Sequence, residues 1–184
     1  KYGIPAKNLE GYLYPDTYFF NESLSPTDII DKMVENFFTY LEGIVPEYGT
    51  MDTKRLHRKI ILASIIEREY RIPDEAPIIS SVFYNRIGSR VGLESCATIE
   101  YIITEIYGQP HPEKITMEMK GISSPYNTYM WHGLPPGPVS NPGSIALSAS
   151  FYPAQTDYWY FCVKNVETGE HYFSGDLEEH NEAK

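Results

Sequence analysis

Two glutamates, Glu67 and Glu69, follow the apolar part of the stretch "ILASIIEREY" at residues 61–70. Five of the six residues before Glu67 are apolar, and only Ser64 is polar. A carboxyl group held partly out of water has a raised pKa, which suits it to donate a proton near neutral pH. The small side chains of Ala63 and Ser64 leave room beside Glu67 for a ligand. The stretch therefore predicts a candidate general acid, the alternative being a solvated helix end paired with a basic side chain.

Helix geometry separates the two acids. Successive residues of an α-helix are about 100° apart, so Ala63 and Ile60 lie within about 60° of the direction of Glu67. Glu67 thus continues an apolar stripe. The column that ends at Glu69 leads back to Arg58, which we expect to be solvated. Periodicity therefore favours Glu67 as the desolvated carboxylate.

Residues 124–143, "SPYNTYMWHGLPPGPVSNPG", combine polar and aromatic side chains with many prolines and glycines. Asn127 carries both a donor and an acceptor for sugar hydroxyls or amides, and the rings of Tyr126 and Tyr129 can stack on sugars. Tyr occurs 16 times in the chain, and we also expect Tyr14 to line a cleft. The segment predicts a binding loop, the alternative being a rigid packing loop.

The two cysteines, Cys96 and Cys162, make neither a disulfide scaffold nor a metal knuckle. Cys96 precedes a predicted helix, where a thiolate is favoured. A cysteine hydrolase with His132 or His171 as its base is therefore an alternative function. The five histidines form no HxxxH or HExxH pair. We find no P-loop, GxGxxG or GxSxG motif either, so no metal and no cofactor is predicted.

Composition limits the classes of partner. The 184 residues carry a formal net charge of −10, which argues against nucleic acid as the main partner because phosphates attract basic patches. Hydrophobic residues make up 42% of the chain and charged residues 22%, as in ordinary globular domains. No apolar run approaches the ~18 residues that a membrane helix needs. We therefore expect one domain over residues 1–184.

The pattern of elements predicts an α+β fold that is mainly helical, with a small antiparallel sheet near the end. Residues 124–143 belong to a longer region, 108–143, that is rich in proline and glycine and reads mostly as loop. Apolar spacing, caps and turn residues place the other elements. The expected helices run from Ser25 to about residue 43, from 52 to 70, from about 78 to 88, from about 97 to 107 and from 144 to 151, and "DYWYFCV" and "HYFS" form a hairpin.

Several segments together resemble one family, the MltG or YceG-like endolytic murein transglycosylases of bacteria. The resemblance runs in order through nearly the whole chain, and "YNTY" followed by "GLPPG" is its most specific part. The matching segments are "LEGYLYPDTY", "LASIIERE", "VFYNRI", "SPYNTY", "GLPPGPVSNPG", "ALSASFYPAQTDYWYFCV" and "HYFSGDLEEHN".

The resemblance implies an enzyme that cleaves the MurNAc–GlcNAc bond of peptidoglycan without water and leaves 1,6-anhydroMurNAc ends. Its active site would be distantly similar to those of lysozyme and other lytic transglycosylases. The family's catalytic glutamate falls in the motif matched by "ASIIE", which implies Glu67 as acid and then base. A membrane anchor and a LysM-like lobe before residue 1, an extracytoplasmic location and cell-wall synthases as partners are implied as well.

One segment departs from the family pattern. Where the family commonly reads close to "RLQTDPT", this chain reads "GLESCAT" at residues 92–98, which places Glu94 where a Gln is usual. The resemblance implies that Glu94 helps to hold the substrate, and a carboxylate near the acid would raise the pKa of that acid. The departure also leaves open a non-catalytic glycan-binding or scaffold module.

Overall fold

The structure, a computed structural model, describes residues 3–5 and 8–183. Residues 1, 2, 6, 7 and 184, which belong to the predicted domain 1–184, lie outside the described residues. The described part contains the following helices and strands: α1 (Pro26–Ile44), α2 (Thr53–Glu69), α3 (Ala76–Gly88), α4 (Cys96–Tyr101), α5 (Met117–Lys120), α6 (Ser144–Phe151), β1 (Tyr160–Asn165), β2 (Glu170–Ser174) and α7 (Leu177–Glu182).

The predicted α+β class is confirmed, and local sequence signals explain most of the helix ends. Ser25 caps α1 in a reciprocal capping box with Asp28, which satisfies backbone donors that the first turn leaves open. The side chain of Asp52 accepts from the backbone N–H of Arg55 at the start of α2. The fourth helix continues beyond Tyr101 as a π-helical turn at Ile102–Ile106. Helices α5 and α7 were not predicted.

Helix α2 is the centre of the molecule. It packs against α6, α3 and α4, so residues 60–66 of this helix are buried on every side. One face joins a core with Phe37 and Leu41 of α1. The opposite face, with Leu62 and Ile65, joins a second core with Phe83 of α3. Both acids at the end of α2 therefore follow buried residues.

The antiparallel hairpin of β1 and β2 covers the end of α3. The ring of Phe161 packs edge-on against Phe83, with ring centroids 5.8 Å apart. Gly169 turns the chain with φ +76°, and a Cβ at this position would lie 2.6 Å from the Cβ of Arg71. Glycine is thus required there both for the backbone angle and for the close approach.

Helices in the described part of the chain are too short or too polar to cross a lipid bilayer.

Candidate active site

A cavity of about 350 Å³ lies between the end of α2, the side of α3, the segment at residues 93–96 and the hairpin. Glutamates from two segments reach it, Glu69 at the end of α2 and Glu94 before α4. Other polar and aromatic side chains complete the wall, among them Arg86, Ser95, Cys96, Lys120, Tyr129 and His171.

Glu69 is the acid at the end of α2 that faces this cavity. Its Oε1 accepts a hydrogen bond from the Ser95 hydroxyl at 2.5 Å. Burial raises the pKa of the Glu69 carboxyl, and the negative charge of Glu100 raises it further. The hydrogen bond from Ser95 and the charges of His171 and Arg68 lower this pKa.

The column of α2 that ends at Glu69 is solvated at its far end. Arg58, about three turns before Glu69, is exposed as expected. Leu62 and Ile65 of the same column are buried, because the second core covers this face of the helix. The desolvation of Glu69 comes from this second core.

Glu67 lies outside the cavity, although it too is partly buried. Its Oε2 accepts from the backbone N–H of Gly143 at 2.9 Å. Gly143 is the N-cap residue of α6 and provides no side-chain cap, so the carboxylate of Glu67 interacts favourably with this helix terminus. Burial raises the pKa of Glu67, and the bond from Gly143 opposes the rise.

The expected room beside Glu67 is filled by the loop at residues 139–143. Ser64 Oγ accepts from the backbone N–H of Val139 at 2.9 Å. The hydroxyl of Ser140 donates to the Ser64 carbonyl at 2.8 Å. Ser64 is fully buried. The small residues at this point of α2 therefore admit the loop and not a ligand.

Glu94 stands at the rim of the cavity in a left-handed backbone conformation, with φ +54°. Its backbone N–H donates to the Thr128 carbonyl at 3.1 Å. Its Oε2 lies 3.1 Å from Nη2 of the buried Arg86, while 51% of the Glu94 side chain is exposed. A half-exposed carboxylate neutralised by an arginine can still accept hydrogen bonds from a ligand.

Asn127 builds the loop and does not face the cavity. Its side chain is fully buried. Its Nδ2 donates to the carbonyls of Lys120 and Ile122 at 2.9 and 2.8 Å. Its Oδ1 accepts from the backbone N–H of Tyr129 at 2.9 Å. We expected the Asn127 amide to bind a ligand. In the structure its donor and acceptor atoms instead bond to backbone groups of the turn.

Thr128 links this turn to the segment that carries Glu94 and Ser95. The Thr128 hydroxyl accepts from the backbone N–H of Ser95 at 3.1 Å. It also lies 2.9 Å from the hydroxyl of Thr98 in α4. The "YNTY" motif therefore supports one wall of the cavity.

The three predicted tyrosines lie in different surroundings. Tyr129 lines the cavity, and its hydroxyl is 3.1 Å from Cys96 Sγ. Tyr126 packs against Tyr101, with centroids 5.0 Å apart. Tyr14 is 5% exposed. It stacks on Tyr40 at 4.1 Å, outside the cavity.

The structure thus brings Glu94 and Tyr129 together with Glu69 around one cavity and leaves Glu67 and Tyr14 outside it. Contact of any of these residues with a substrate stays a prediction. Sequence reasoning missed Ser95 and Arg86 as parts of the site. An arginine inside the largely apolar stretch "IISSVFYNRI" was the available signal for Arg86. Residues 3–5 and 8–183 contain no cluster of side chains suited to a metal ion.

Comparison with known proteins agrees with this fold. The model of the YceG-like family matches residues 2–184. An endolytic murein transglycosylase of Bacillus subtilis is 37% identical over 177 residues, which cover 96% of this chain and 47% of that protein. One of Streptococcus pneumoniae is 34% identical, over 94% of this chain and 31% of that protein. The chain therefore spans less than half the length of these curated relatives.

A crystal structure of a yceG-like protein from Listeria monocytogenes superposes with a TM-score of 0.83 at 40% identity, covering 96% of this chain and 55% of that one. The family model and the relatives span nearly all of the described fold, including the helix that carries both acids and the loop that supports the cavity. This chain belongs to the YceG-like family.

Proposed function

We propose that this chain is the catalytic domain of an endolytic peptidoglycan lytic transglycosylase in which Glu67 is first the acid and then the base. One observation carries the assignment of the residue: burial at the end of the apolar stripe of α2 raises the pKa of the Glu67 carboxyl, and the backbone N–H of Gly143 holds its Oε2 at 2.9 Å. The names of the relatives from Bacillus and Streptococcus support the activity.

The reaction needs a single carboxyl group. The protonated Glu67 gives its proton to the glycosidic oxygen between MurNAc and GlcNAc, and the bond from that oxygen to C1 of MurNAc breaks. The carbonyl of the MurNAc acetamido group stabilises the cationic C1. The Glu67 carboxylate then takes the proton of the C6 hydroxyl of the same sugar as its oxygen bonds to C1. No water is consumed, so the second carboxylate of a hydrolase is not required.

The environment of Glu67 suits both halves of this cycle. Burial favours the protonated form that must start the reaction. The backbone N–H of Gly143 donates to the carboxylate that follows, and a donor to a carboxylate stabilises its charged form. Glu94, neutralised by Arg86 at the rim, is placed to accept hydrogen bonds from sugar hydroxyls.

Glu69, the other acid at the end of α2, is the competing acid. Its Oε1 accepts from the Ser95 hydroxyl at 2.5 Å, and it faces the cavity that Glu94 and Tyr129 line. Periodicity and the family motif both favour Glu67. We therefore assign Glu69 to the support of the segment that carries Ser95.

Digestion of purified peptidoglycan by the Glu69→Gln and Glu67→Gln variants, with products identified by mass spectrometry, tests the assignment. We expect Glu67→Gln to lose about 10²–10⁴-fold of the rate at which anhydroMurNAc ends form, although its amide keeps an acceptor for Gly143. Glu69→Gln keeps an acceptor for the Ser95 hydroxyl and should stay within about threefold of the unmodified chain.

The opposite result, loss of activity only in Glu69→Gln, would move the acid to Glu69. Reducing MurNAc ends in place of anhydro ends would point to a hydrolase. Unchanged activity in Cys96→Ser is expected, because the hydrogen-bond partner of the Cys96 thiol is the Tyr129 hydroxyl and not an imidazole. Glycan binding without turnover by the unmodified chain would favour the non-catalytic module.

The wider setting of the domain is proposed from the family resemblance. We propose that residues 1–184 work on the extracytoplasmic side of the cell membrane as part of a longer, membrane-anchored protein. Peptidoglycan is its substrate and cell-wall synthases are its partners. Fractionation of cells that express the full-length protein, together with crosslinking to the synthases, tests both statements.

A further inference from the structure

A further partly buried carboxyl group, that of Glu10, lies against the loop that binds Glu67. Oε1 of Glu10 accepts from Nδ2 of Asn141 at 3.3 Å. Asn141 comes two residues before Gly143, whose backbone N–H donates to Oε2 of Glu67 at 2.9 Å. Two residues of fully extended chain span at most about 7 Å. The two carboxyl groups therefore bind neighbouring points of one short loop, and the proposed mechanism does not use Glu10.

The segment that carries Glu10 is fixed along this loop. Oδ1 of Asn141 accepts from the backbone N–H of Gly11 at 2.8 Å and from that of Leu13 at 3.1 Å. Gly11 has a φ of +85°, and a Cβ at this position would lie 2.5 Å from Cγ of Pro138. Only glycine allows both this backbone angle and this close approach. The backbone on either side of Glu10 is thus held in one place.

The same segment reaches Glu67 five residues further on. A Cβ built on Gly143 would lie 3.8 Å from Cγ of Pro15 and 3.7 Å from Oε2 of Glu67. Glu10 and Glu67 are both partly exposed, and Pro15 is exposed. A ligand that reaches Glu67 from solvent therefore arrives beside residues 10–15.

The charge of Glu10 is suited to a neutral donor. Within residues 3–5 and 8–183, no basic side chain forms an ion pair with Glu10. Burial raises the pKa of Glu10, and the negative charge of Glu105 raises it further. A partly desolvated carboxylate is costly unless it accepts hydrogen bonds, and it has about four lone-pair sites to fill. An O–H or N–H group without a negative charge fits these sites, whereas an anionic group is repelled.

Two tyrosine rings lie within the electrostatic range of Glu10. Tyr101 and Tyr126 pack against each other with centroids 5.0 Å apart, and both are partly exposed. Burial raises the pKa of both phenols, and the charge of Glu10 adds to the rise. Tyrosine combines an apolar ring with a polar hydroxyl. The surroundings of Glu10 are therefore suited to an uncharged sugar.

We propose that Glu10, oriented by Asn141, is a substrate-binding residue that accepts hydrogen bonds from the GlcNAc unit next to the MurNAc on which Glu67 acts. The inference rests on the function proposed above for Glu67. GlcNAc is the neutral sugar of the strand, and its hydroxyl and acetamido N–H groups are donors. MurNAc carries a lactyl group, which is a carboxylate wherever no peptide is attached and is then repelled by Glu10. Because the two sugars alternate, a preference for GlcNAc at this point sets the register in which the strand meets Glu67.

Binding of chitotetraose, a neutral tetrasaccharide of GlcNAc, tests this contact without turnover when it is measured in the Glu67→Gln background by titration calorimetry. We expect Glu10→Ala to raise the Kd about 10–100-fold, the range for hydrogen bonds to a charged group. Glu10→Gln should raise it about 3–10-fold, because hydrogen bonds to a neutral acceptor are about half as strong. Glu105→Gln is the matched control. It removes the neighbouring negative charge and leaves Glu10 in place, so its Kd should stay within about twofold of the parent.

Three results would overturn the proposal. The first is an equal Kd in the parent and in Glu10→Ala, or no chitotetraose binding by the parent. The second is weaker binding in Glu10→Ala alone, which would show a structural role, because the amide of Glu10→Gln still accepts from Asn141. The third is an equal change in Glu10→Gln and Glu105→Gln, which would show an effect of net charge and not of contact. If Glu10→Ala does not fold, Glu10→Gln decides.

This binding assay fails independently of the proposed function. If the unmodified chain forms no anhydroMurNAc ends while Glu10→Gln weakens chitotetraose binding, the function is lost and the contact is supported. If anhydroMurNAc ends form while chitotetraose binding is the same in all variants, the contact alone is lost.

Discussion

Replacement of Arg86 by methionine should be among the most destabilising single changes near the site. The guanidinium is buried; its Nε donates to the Gly92 carbonyl at 2.8 Å and its Nη1 to the Trp159 carbonyl at 3.0 Å. Its carbon CZ lies 5.3 Å from the ring centroid of Tyr160. Methionine keeps the length and most of the apolar stem but removes every donor.

The expected magnitude follows from these contacts. Each hydrogen bond from a charged donor contributes about 1.5–3 kcal/mol, and the Gly92 and Trp159 carbonyls would both lose their partner. The ion pair with Glu94 adds at most about 1 kcal/mol, because half of the Glu94 side chain is exposed. Partial access of water to the carbonyls reduces the sum. We therefore expect a loss of about 3–5 kcal/mol in the free energy of unfolding.

Urea denaturation followed by tryptophan fluorescence measures the loss, and we expect the midpoint of Arg86→Met to fall by about 1–2 M. Glu94→Gln is the control, since it keeps the shape of the side chain and removes only the exposed partner, and it should cost less than about 1 kcal/mol. The reasoning fails if the two variants are equally destabilised, or if Arg86→Met unfolds within about 1 kcal/mol of the unmodified chain. Glu94→Gln should also keep or raise activity, and an order-of-magnitude fall would show that the chain depends on the carboxylate.

Three further outcomes follow from the hydrogen bonds and from burial. Glu67→Ala removes the acceptor at Gly143 and should lower the free energy of unfolding by about 1–2 kcal/mol, with a smaller loss in Glu67→Gln, by urea denaturation. Asn127→Ala leaves three partly buried backbone groups without their partner and should cost about 2–4 kcal/mol in the same assay; a cost below about 1 kcal/mol would contradict the structural role. The raised pKa of Glu69 adds stability that is fully present below the unfolded-state pKa and is lost as pH rises through the folded-state value. The melting temperature of Glu69→Gln should therefore rise relative to that of the unmodified chain at pH values above the folded-state pKa, and this difference should disappear towards acid pH. An equal difference in melting temperature at all pH values would refute the burial of this carboxyl.

Local patterns in the sequence were enough to place most helices. Pro26 after the Ser25 cap begins α1, and Asp52 begins α2, because capping and apolar spacing act within one or two turns. The motif "SPYNTY" was also predicted to lie in a binding loop. The direction in which its polar side chains point was not predictable, since Asn127 bonds to carbonyls at residues 120 and 122 that have no sequence signature of their own.

The sequence by itself determined that a buried helix ends in two acids, and it determined the family to which the chain belongs. Only the tertiary structure decided which acid faces a cavity. Glu67 meets the start of α6, 76 residues away. Glu69 accepts a hydrogen bond from Ser95, and its cavity is completed by a hairpin that carries His171. Helical periodicity predicts which residues share a face of one helix. The desolvation of a carboxyl depends on every element that packs around it, and these elements are brought together only by the fold.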